Sequence, residues 1–236
     1  MALPIINDDK PIYELKLPTN GKRYKYRPFL VKEQKNILIA NESGSQRESM
    51  IAMLQCIENC VENINIKDLS TAEVDYIFMY VRGKSVGETI DIKHKCTHCS
   101  HENKIQVKLA DIEILNYNSE NLVQLTDDIS LSMRYPTYED SLKNSEDTEV
   151  KITNLLFNTL RSSLDYLQTG EDNIKFSDET EEEIDKFINS LNNEQLQKCF
   201  KHVESLPSLY YTQDYTCSSC NKETKLELKG FEDFLE

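Results

Sequence analysis

Two Cys-x-x-Cys pairs constrain the fold of this chain more than any other feature of its 236 residues. Cys96 and Cys99 form the first pair, and Cys217 and Cys220 form the second, more than a hundred residues later. A glutamate, a lysine and then alternating apolar residues follow each pair at the same spacing. Because each pair also follows a β-prone run, each predicts a knuckle, in which a strand, a tight turn with two thiolates and a return strand follow one another.

Four cysteine sulfurs at this spacing suit one tetrahedral zinc ion. Two residues between paired cysteines let a turn direct both sulfurs at one metal about 2.3 Å away, while backbone N–H groups remain free to donate to the thiolates. The compact turn formers Ser100 and Asn221 follow the two pairs. After each pair, apolar residues alternate as on one buried strand face: Ile105, Val107, Leu109, Leu226 and Leu228. The sequence therefore predicts one structural Zn²⁺ per chain with four ligands: Cys96, Cys99, Cys217 and Cys220.

Other uses of the cysteines stay open at the level of the sequence. A redox Cys-x-x-Cys would open a helix beside a βαβ unit, which neither pair does, and two disulfides would imply an oxidising compartment. His94, His98 and His101 could replace a sulfur ligand, but the repeat already supplies four cysteines, so we expect exposed polar residues of the hairpin there. Cys56 and Cys60 lie four residues apart on a predicted helix and are interpreted as small buried apolar residues.

Composition and charge limit the classes of function. Hydrophobic residues make up 39% of the chain, and no apolar run approaches the roughly 18 residues of a membrane span. The first ten residues lack the features of a signal peptide, so we expect a reducing, cytoplasmic location, which keeps thiolates available for a metal. A net charge of −14 opposes general affinity for nucleic acid. Zinc ribbons often bind nucleic acid, so a nucleic-acid-binding zinc ribbon, such as a viral transcription factor, is the alternative. Lysines make the knuckles locally basic, either as a solvated rim or as a partner surface.

The order of turn signals and periodicities predicts an α+β fold. Residues 12–17 alternate apolar and polar, residues 18–21 form a turn, and residues 23–29 resume a strand, which predicts a β-hairpin. Four basic residues of this hairpin form either an exposed strand face or a contact surface for an acidic partner: Lys22, Arg23, Lys25 and Arg27. The predicted segments are the N-terminal β-hairpin (1–30), a helical segment (31–88), the first zinc knuckle (89–112), a mixed strand and helix insert (113–208), and the second zinc knuckle with the C-terminal tail (209–236).

Capping residues and hydrophobic spacing place the helices. In the helical segment we expect a first helix that begins at residues 37–39, a second that starts at Ser45 or Ser49, and a third with Ser70 and Glu73 as its capping box. The insert is predicted to contain a strand pair (122–125 with 129–133), a helix capped at Thr137, a helix over residues 150–164, a loop at residues 170–173, a helix capped by residues 177–179, and a last helix that ends at residues 206–207.

Motifs of the common catalytic classes are absent from the sequence. No Gly-rich loop matches a phosphate-binding or dinucleotide-binding fingerprint, and neither a Gly-x-Ser-x-Gly elbow nor a His-Glu-x-x-His motif occurs. A catalytic zinc would keep an open position with histidine or carboxylate ligands, whereas a site of four thiolates is closed. We therefore expect a non-enzymatic protein without catalytic residues; a metal-dependent enzyme would need a metal beyond this one closed site.

Short motifs along nearly the whole chain occur in an order that resembles a known family. They are Leu17-Pro18, Gly21, Tyr26-Arg27-Pro28-Phe29, Val31-Lys32-Glu33, Lys35, Lys84-Ser85-Val86-Gly87, Leu206-Pro207, Leu228, Gly230 and Phe234, together with the two cysteine pairs. The chain is similar in these motifs to the baseplate hub assembly proteins of T-even-type contractile-tailed bacteriophages. Because each motif is short, their order carries the resemblance more than any one of them does.

The resemblance implies a non-enzymatic role in building the central hub of the tail baseplate, as an assembly factor or a minor component. The implied partners are other hub or tail proteins, with the tape-measure protein as one candidate. Composition and charge, independently of the resemblance, argue against a membrane and against nucleic acid as partners. The implied location is the host cytoplasm during assembly, and the tail baseplate of the virion if the protein remains there.

Overall fold

The computed structural model describes residues 11–117, 121–144, 152–170 and 172–234. It is an α+β structure, as the sequence predicts. The chain divides into two compact units. Unit 1 comprises residues 1–115 and 208–236, and unit 2 is the continuous stretch 116–207. Both cysteine pairs lie in unit 1, so its two chain segments together contain the predicted metal ligands.

Unit 1 begins with the predicted β-hairpin. Strands β1 (Tyr13–Lys16) and β2 (Arg23–Tyr26) pair antiparallel. The turn between them closes with a 2.9 Å hydrogen bond from the N–H of Leu17 to the carbonyl of Lys22, and Gly21 adopts a φ of +73° that glycine tolerates without strain. Alternation then buries one face of the hairpin, including Leu17 and Tyr26, and exposes the other.

Three helices follow: α1 (Val31–Glu42), α2 (Gln46–Cys60) and α3 (Thr71–Val86). Helix α1 begins earlier than predicted, because the carboxylate of Glu33 accepts the N–H of Leu30 at 2.8 Å and satisfies a free donor at the helix start. Ser45, and not Ser49, caps α2, and the predicted capping box of Ser70 with Glu73 is formed. Helix α3 is buried along most of its length.

The first knuckle comes next. Strands β3 (Thr89–Lys95) and β4 (Glu102–Lys108) pair antiparallel over their full lengths, and the turn between them contains Cys96 and Cys99. Their apolar residues share one buried face, including Ile90, Ile105 and Val107. A short strand that the sequence did not predict, β5 (Glu113–Leu115), then ends this segment of unit 1.

The described residues of unit 2 form a four-stranded antiparallel sheet and four helices. The sheet order is β6 (Leu122–Gln124), β7 (Ile129–Met133), β8 (Leu164–Thr169) and β9 (Asp172–Lys175). The helices are α4 (Tyr138–Asn144), α5 (Ile152–Ser163), α6 (Glu181–Ser190) and α7 (Asn193–Glu204). Nine buried side chains form its core: Leu125, Leu131, Met133, Leu160, Leu164, Phe176, Ile188, Cys199 and Val203.

Three predictions for unit 2 were wrong. Leu164 was expected in a helix, but it lies in β8, which pairs with β7 directly after α5. Residues 172–173 were expected in a loop, but they lie in β9, which pairs with β8. Helix α6 is capped by Thr180 instead of residues 177–179: the Thr180 hydroxyl accepts the N–H of Glu183, and the Glu183 carboxylate accepts the N–H of Thr180. The strand pair β6–β7 and the Thr137 cap are confirmed, whereas Val150 lies outside the described residues.

The chain re-enters unit 1 through β10 (Ser208–Thr216), which pairs with β11 (Glu223–Lys229) to form the second knuckle. Strand β10 also pairs antiparallel with β5, and Ser208 lies opposite Leu115. The residues at which the chain leaves and re-enters unit 1 are therefore direct neighbours in one sheet. Within the described part of the chain, no helix has the length and apolar character needed to cross a membrane.

Candidate metal centre

The backbone folds both cysteine turns in the same way. In the first knuckle, the N–H of Cys96 donates to the carbonyl of His101 at 2.9 Å, and the N–H of Ser100 donates to the carbonyl of Cys96 at 2.9 Å. The second knuckle repeats both bonds, at 2.9 Å from Cys217 to Lys222 and at 3.0 Å from Asn221 to Cys217. Ser100 and Asn221 have φ values of +58° and +55°, the left-handed conformation that closes each turn.

The two turns bring the four predicted ligands together. All four sulfur atoms lie within 4.8 Å of one another, with 3.8 Å between Cys96 Sγ and Cys220 Sγ and 3.7 Å between Cys99 Sγ and Cys217 Sγ. Metal–sulfur bonds of about 2.3 Å in a tetrahedron require sulfur–sulfur distances of roughly 3.8 Å. A disulfide bond needs a much shorter sulfur–sulfur distance, about 2.05 Å. The short contacts join one cysteine of each knuckle, so the sulfurs surround a common centre between the knuckles.

Each knuckle also hydrogen-bonds a sulfur of the other. The Thr224 hydroxyl on β11 lies 3.6 Å from the Sγ of Cys96, and the amide of Asn103 on β4 donates to the Sγ of Cys217 at 3.6 Å. Asn103 and Thr224 each lie seven residues after the first cysteine of their own pair. The two hydrogen bonds therefore come from corresponding positions of the two repeated knuckle sequences. Such partners fix the orientation of thiolate ligands.

Asn103 makes a further connection between the knuckles. Its Oδ1 accepts the N–H of Ser218 at 2.9 Å and the Ser218 hydroxyl at 3.0 Å. Its Nδ2 donates to the carbonyl of His101 at 3.0 Å in its own turn. One buried amide thus satisfies groups in both turns and holds them in register.

His94 has a different environment from the one expected. It is half-buried, with its Nδ1 2.8 Å from the hydroxyl of Tyr215 and the two rings edge to face at 5.7 Å. His94 and Tyr215 each precede their cysteine pair by two residues, so they also occupy equivalent positions of the repeat. His98 and His101 are exposed, as expected. The His94–Tyr215 contact therefore joins the strands that lead into the two turns.

The pKa values of Cys96, Cys217 and Cys99 are shifted in different directions by their surroundings. Hydrogen bonds from the Thr224 hydroxyl and from backbone N–H groups lower the pKa of Cys96 to about 5, and backbone N–H groups of residues 219 and 220 lower the pKa of Cys217. The N–H of His101 also lowers the pKa of Cys99, but desolvation and hydrogen bonds with the other three sulfurs outweigh it and raise that pKa to about 12. A cluster of thiolates this close needs a cation to ionise completely.

The donor set fits a soft divalent metal ion. Thiolates prefer zinc over magnesium or calcium, and four sulfurs fill a tetrahedral shell without an open position. Cys96 and Cys217 are buried, and Cys99 is exposed at the edge of the site. Within the ranges that the structure describes, no second group of three or more histidine, cysteine or acidic side chains is placed to bind a metal, and Cys56 and Cys60 are buried in α2.

Sequence reasoning identified the sulfurs but missed the groups around them. Asn103, Thr224, His94 and Tyr215 are polar residues in strands and match no metal-binding pattern by themselves. Their positions could have identified them, since Asn103 and Thr224 occupy equivalent positions of the internal repeat, and so do His94 and Tyr215. In the structure, the contacts of these four residues join the two turns around the four sulfurs.

A family model described as T4 bacteriophage base plate protein matches residues 10–236. The chain belongs to this family. The family resemblance drawn from the motif order is thereby confirmed, and membership supports a structural role in the phage baseplate. No individually curated protein and no solved structure matches the chain.

Proposed function

We propose that this base plate family member is a non-enzymatic hub assembly protein, acting as an assembly factor or minor component through protein–protein contacts. The match over residues 10–236 is the observation that supports a baseplate role, because it spans both units of the chain. The closed set of four sulfurs supports a structural use for the metal. The protein would act in the host cytoplasm during tail assembly, with other hub or tail proteins as partners and the tape-measure protein as one candidate.

One structural zinc ion per chain, bound by Cys96, Cys99, Cys217 and Cys220, would hold the two segments of unit 1 together. Closing the long loop between the knuckles costs only a few kcal/mol, because the entropy of closure grows with the logarithm of loop length. Structural zinc sites contribute about 10–16 kcal/mol of apparent binding free energy. The metal would therefore offset the closure cost several times over.

Metal content tests this part of the proposal directly. Protein purified without chelators should contain one zinc ion per chain by elemental analysis, and Cys217→Ser should lose it. Cys199→Ser is the matched control, because Cys199 is a buried cysteine in the core of unit 2 and should leave the zinc content unchanged. Absence of zinc from the unmodified protein, or equal loss from both variants, would rule out the proposed site.

The N-terminal hairpin offers a basic contact surface on an acidic protein. Residues 11–30 contain five lysines and arginines and one glutamate, a net charge of +4 in a chain of −14. Lys16, Arg23 and Lys25 are exposed on the outer face of the hairpin. Arg27 belongs to a different environment, since its guanidinium pairs with the buried Glu33 at 3.0 Å. The exposed face suits an acidic partner surface and would steer its approach.

Co-expression with the hub and tail proteins of the same phage, followed by affinity capture, tests the assembly role. The unmodified protein should capture at least one of them. Reversing the charge with Lys16→Glu and Lys25→Glu should weaken that capture at low salt. Lys93→Glu and Lys104→Glu, on the exposed face of the first knuckle, control for net charge. Failure to capture any tail protein would contradict the proposal.

A further inference from the structure

An apolar groove opens on the surface of unit 2. Its volume is about 240 Å³, and Leu167 and Ile174, directly opposite each other on β8 and β9, form part of its lining. Phe176 and Phe187 line it as well, with ring centroids 5.1 Å apart. Ile174 is 46% exposed although it lies on the apolar face. The groove is large enough for one or two side chains of leucine or phenylalanine size.

Two glutamates form the polar rim of this groove. Glu179 and Glu183 both line it, and both are exposed. The Glu183 carboxylate accepts two hydrogen bonds from Thr180 at the start of α6 and also contacts Glu179, where hydrogen bonding and charge repulsion raise the pKa of the Glu179 carboxyl. Among the described residues, neither glutamate forms an ion pair with a lysine or arginine of this chain. We call the groove with this rim the acidic groove.

The strand beside the acidic groove is an open edge. Strand β9 pairs with β8 on one side, and no described strand pairs with its other side. All four residues of β9 are exposed. An exposed edge offers unpaired N–H and carbonyl groups to an added strand, which is how many proteins bind extended peptides.

The charge of unit 2 restricts the kind of partner. Residues 116–207 contain 19 acidic and 8 basic residues, a net charge of −11. A partner segment with acidic residues would be repelled, whereas lysine or arginine beside an apolar anchor would meet the glutamate rim. Apolar lining, acidic rim and open strand edge lie together at one end of the sheet.

We propose that the acidic groove binds an extended segment of a partner protein in which an aliphatic or aromatic residue is flanked by lysine or arginine. The apolar side chain enters between Ile174 and Phe187, the basic side chain pairs with Glu179 and Glu183, and the backbone lies along β9. The proposal rests on the proposed function in that the partner is another tail protein. Binding at the groove itself can be tested without any tail protein.

The probe is a fluorescein-labelled ten-residue peptide of alternating leucine and lysine, measured by fluorescence anisotropy against the full-length protein. Ile174→Ser should weaken binding roughly tenfold through loss of the apolar contact. Glu179→Gln should weaken it about two- to fivefold, as for a partly exposed charge pair. Leu122→Ser is the matched control, because Leu122 is 52% exposed on β6 at the opposite edge of the same sheet, and it should leave affinity unchanged.

A second peptide of alternating serine and lysine separates the apolar contact from general attraction to an acidic protein. It should bind at least tenfold more weakly than the leucine peptide. Equal binding of the two peptides, equal weakening by Leu122→Ser and Ile174→Ser, or no binding of the leucine peptide at millimolar concentration would each overturn the proposal. Concentration-dependent dimerisation that Ile174→Ser abolishes would identify a second copy as the occupant and also overturn it. Since no tail protein is used, these results are independent of the capture experiment.

Discussion

Asn103 allows the connection between the two knuckles to be tested separately from the metal. Its side chain is only 7% exposed, accepts two hydrogen bonds from Ser218 and donates to the carbonyl of His101 and the sulfur of Cys217. Asn103→Ala removes all four and shortens the side chain. The two bonds to Ser218 bridge the knuckles, whereas the bond to His101 stays within one turn.

The expected loss follows from the number and quality of these bonds. Each ordinary hydrogen bond contributes about 1 kcal/mol net, so the two bonds to Ser218 and the one to His101 sum to about 2–3 kcal/mol. The contact to the Cys217 sulfur is longer, at 3.6 Å, and adds little. Thr224→Val, at the equivalent repeat position, loses only a hydroxyl 3.6 Å from a sulfur and should cost about 1 kcal/mol or less.

Hydrogen exchange resolved at single amides gives the required measurement. In the unmodified protein the N–H of Ser218 is bound to Asn103 Oδ1 at 2.9 Å. In Asn103→Ala its protection should fall by about 30-fold, the equivalent of about 2 kcal/mol. The fall should occur with and without chelator, because this bond does not involve the metal. A fall of less than threefold, or one that appears only in the metal-bound protein, would refute a metal-independent connection.

Three further outcomes test other parts of the structure. Chelation by EDTA should lower the thermal midpoint of unit 1, and Cys96→Ser should reproduce that effect so that EDTA has no further influence, as differential scanning calorimetry would show. Burial opposes ionisation of Glu33, but a backbone N–H and the Arg27 guanidinium outweigh it and hold the pKa of Glu33 below its usual value. The stabilisation by ionised Glu33 is present above its unfolded pKa near 4.5 and is lost as pH falls through the lower folded value. Glu33→Gln should therefore make the free energy of unfolding in urea less dependent on pH below about 5. Asp140 binds both guanidinium nitrogens of Arg134 at 2.8 and 2.9 Å, and Asp140→Ala should destabilise unit 2 by about 2–3 kcal/mol in urea unfolding, whereas a loss below about 0.5 kcal/mol would contradict it.

The knuckles were predictable because each is local. A strand, a Cys-x-x-Cys turn and a return strand occupy about twenty consecutive residues, and their alternation and turn residues all indicate the same structure. That the two turns meet follows from coordination chemistry, because two thiolates are half of a tetrahedral site. The N-terminal hairpin and the capping box at Ser70 are equally local, and both are formed.

What the sequence did not reveal depends on distant partners. Strand β5 has three residues and gains its structure from pairing with β10, which follows it in the sequence only after the whole of unit 2. Strand β8 directly follows α5 and carries leucines that continue the helical spacing, so only pairing with β7 distinguishes it from another helical turn. The contacts of Asn103 and Thr224 with the cysteine sulfurs could not be predicted, because each contact reaches a sulfur of the other knuckle and depends on how the two knuckles lie together.

The pairing of Ser208 with Leu115 makes unit 2 replaceable in principle. Antiparallel partners lie about 5 Å apart, a gap that a two-residue hairpin turn spans. A shortened gene in which such a turn substitutes for residues 116–207 would join β5 directly to β10 without moving either. Such a shortened protein would keep the cysteine-bearing scaffold of unit 1 and would lack the acidic groove of unit 2.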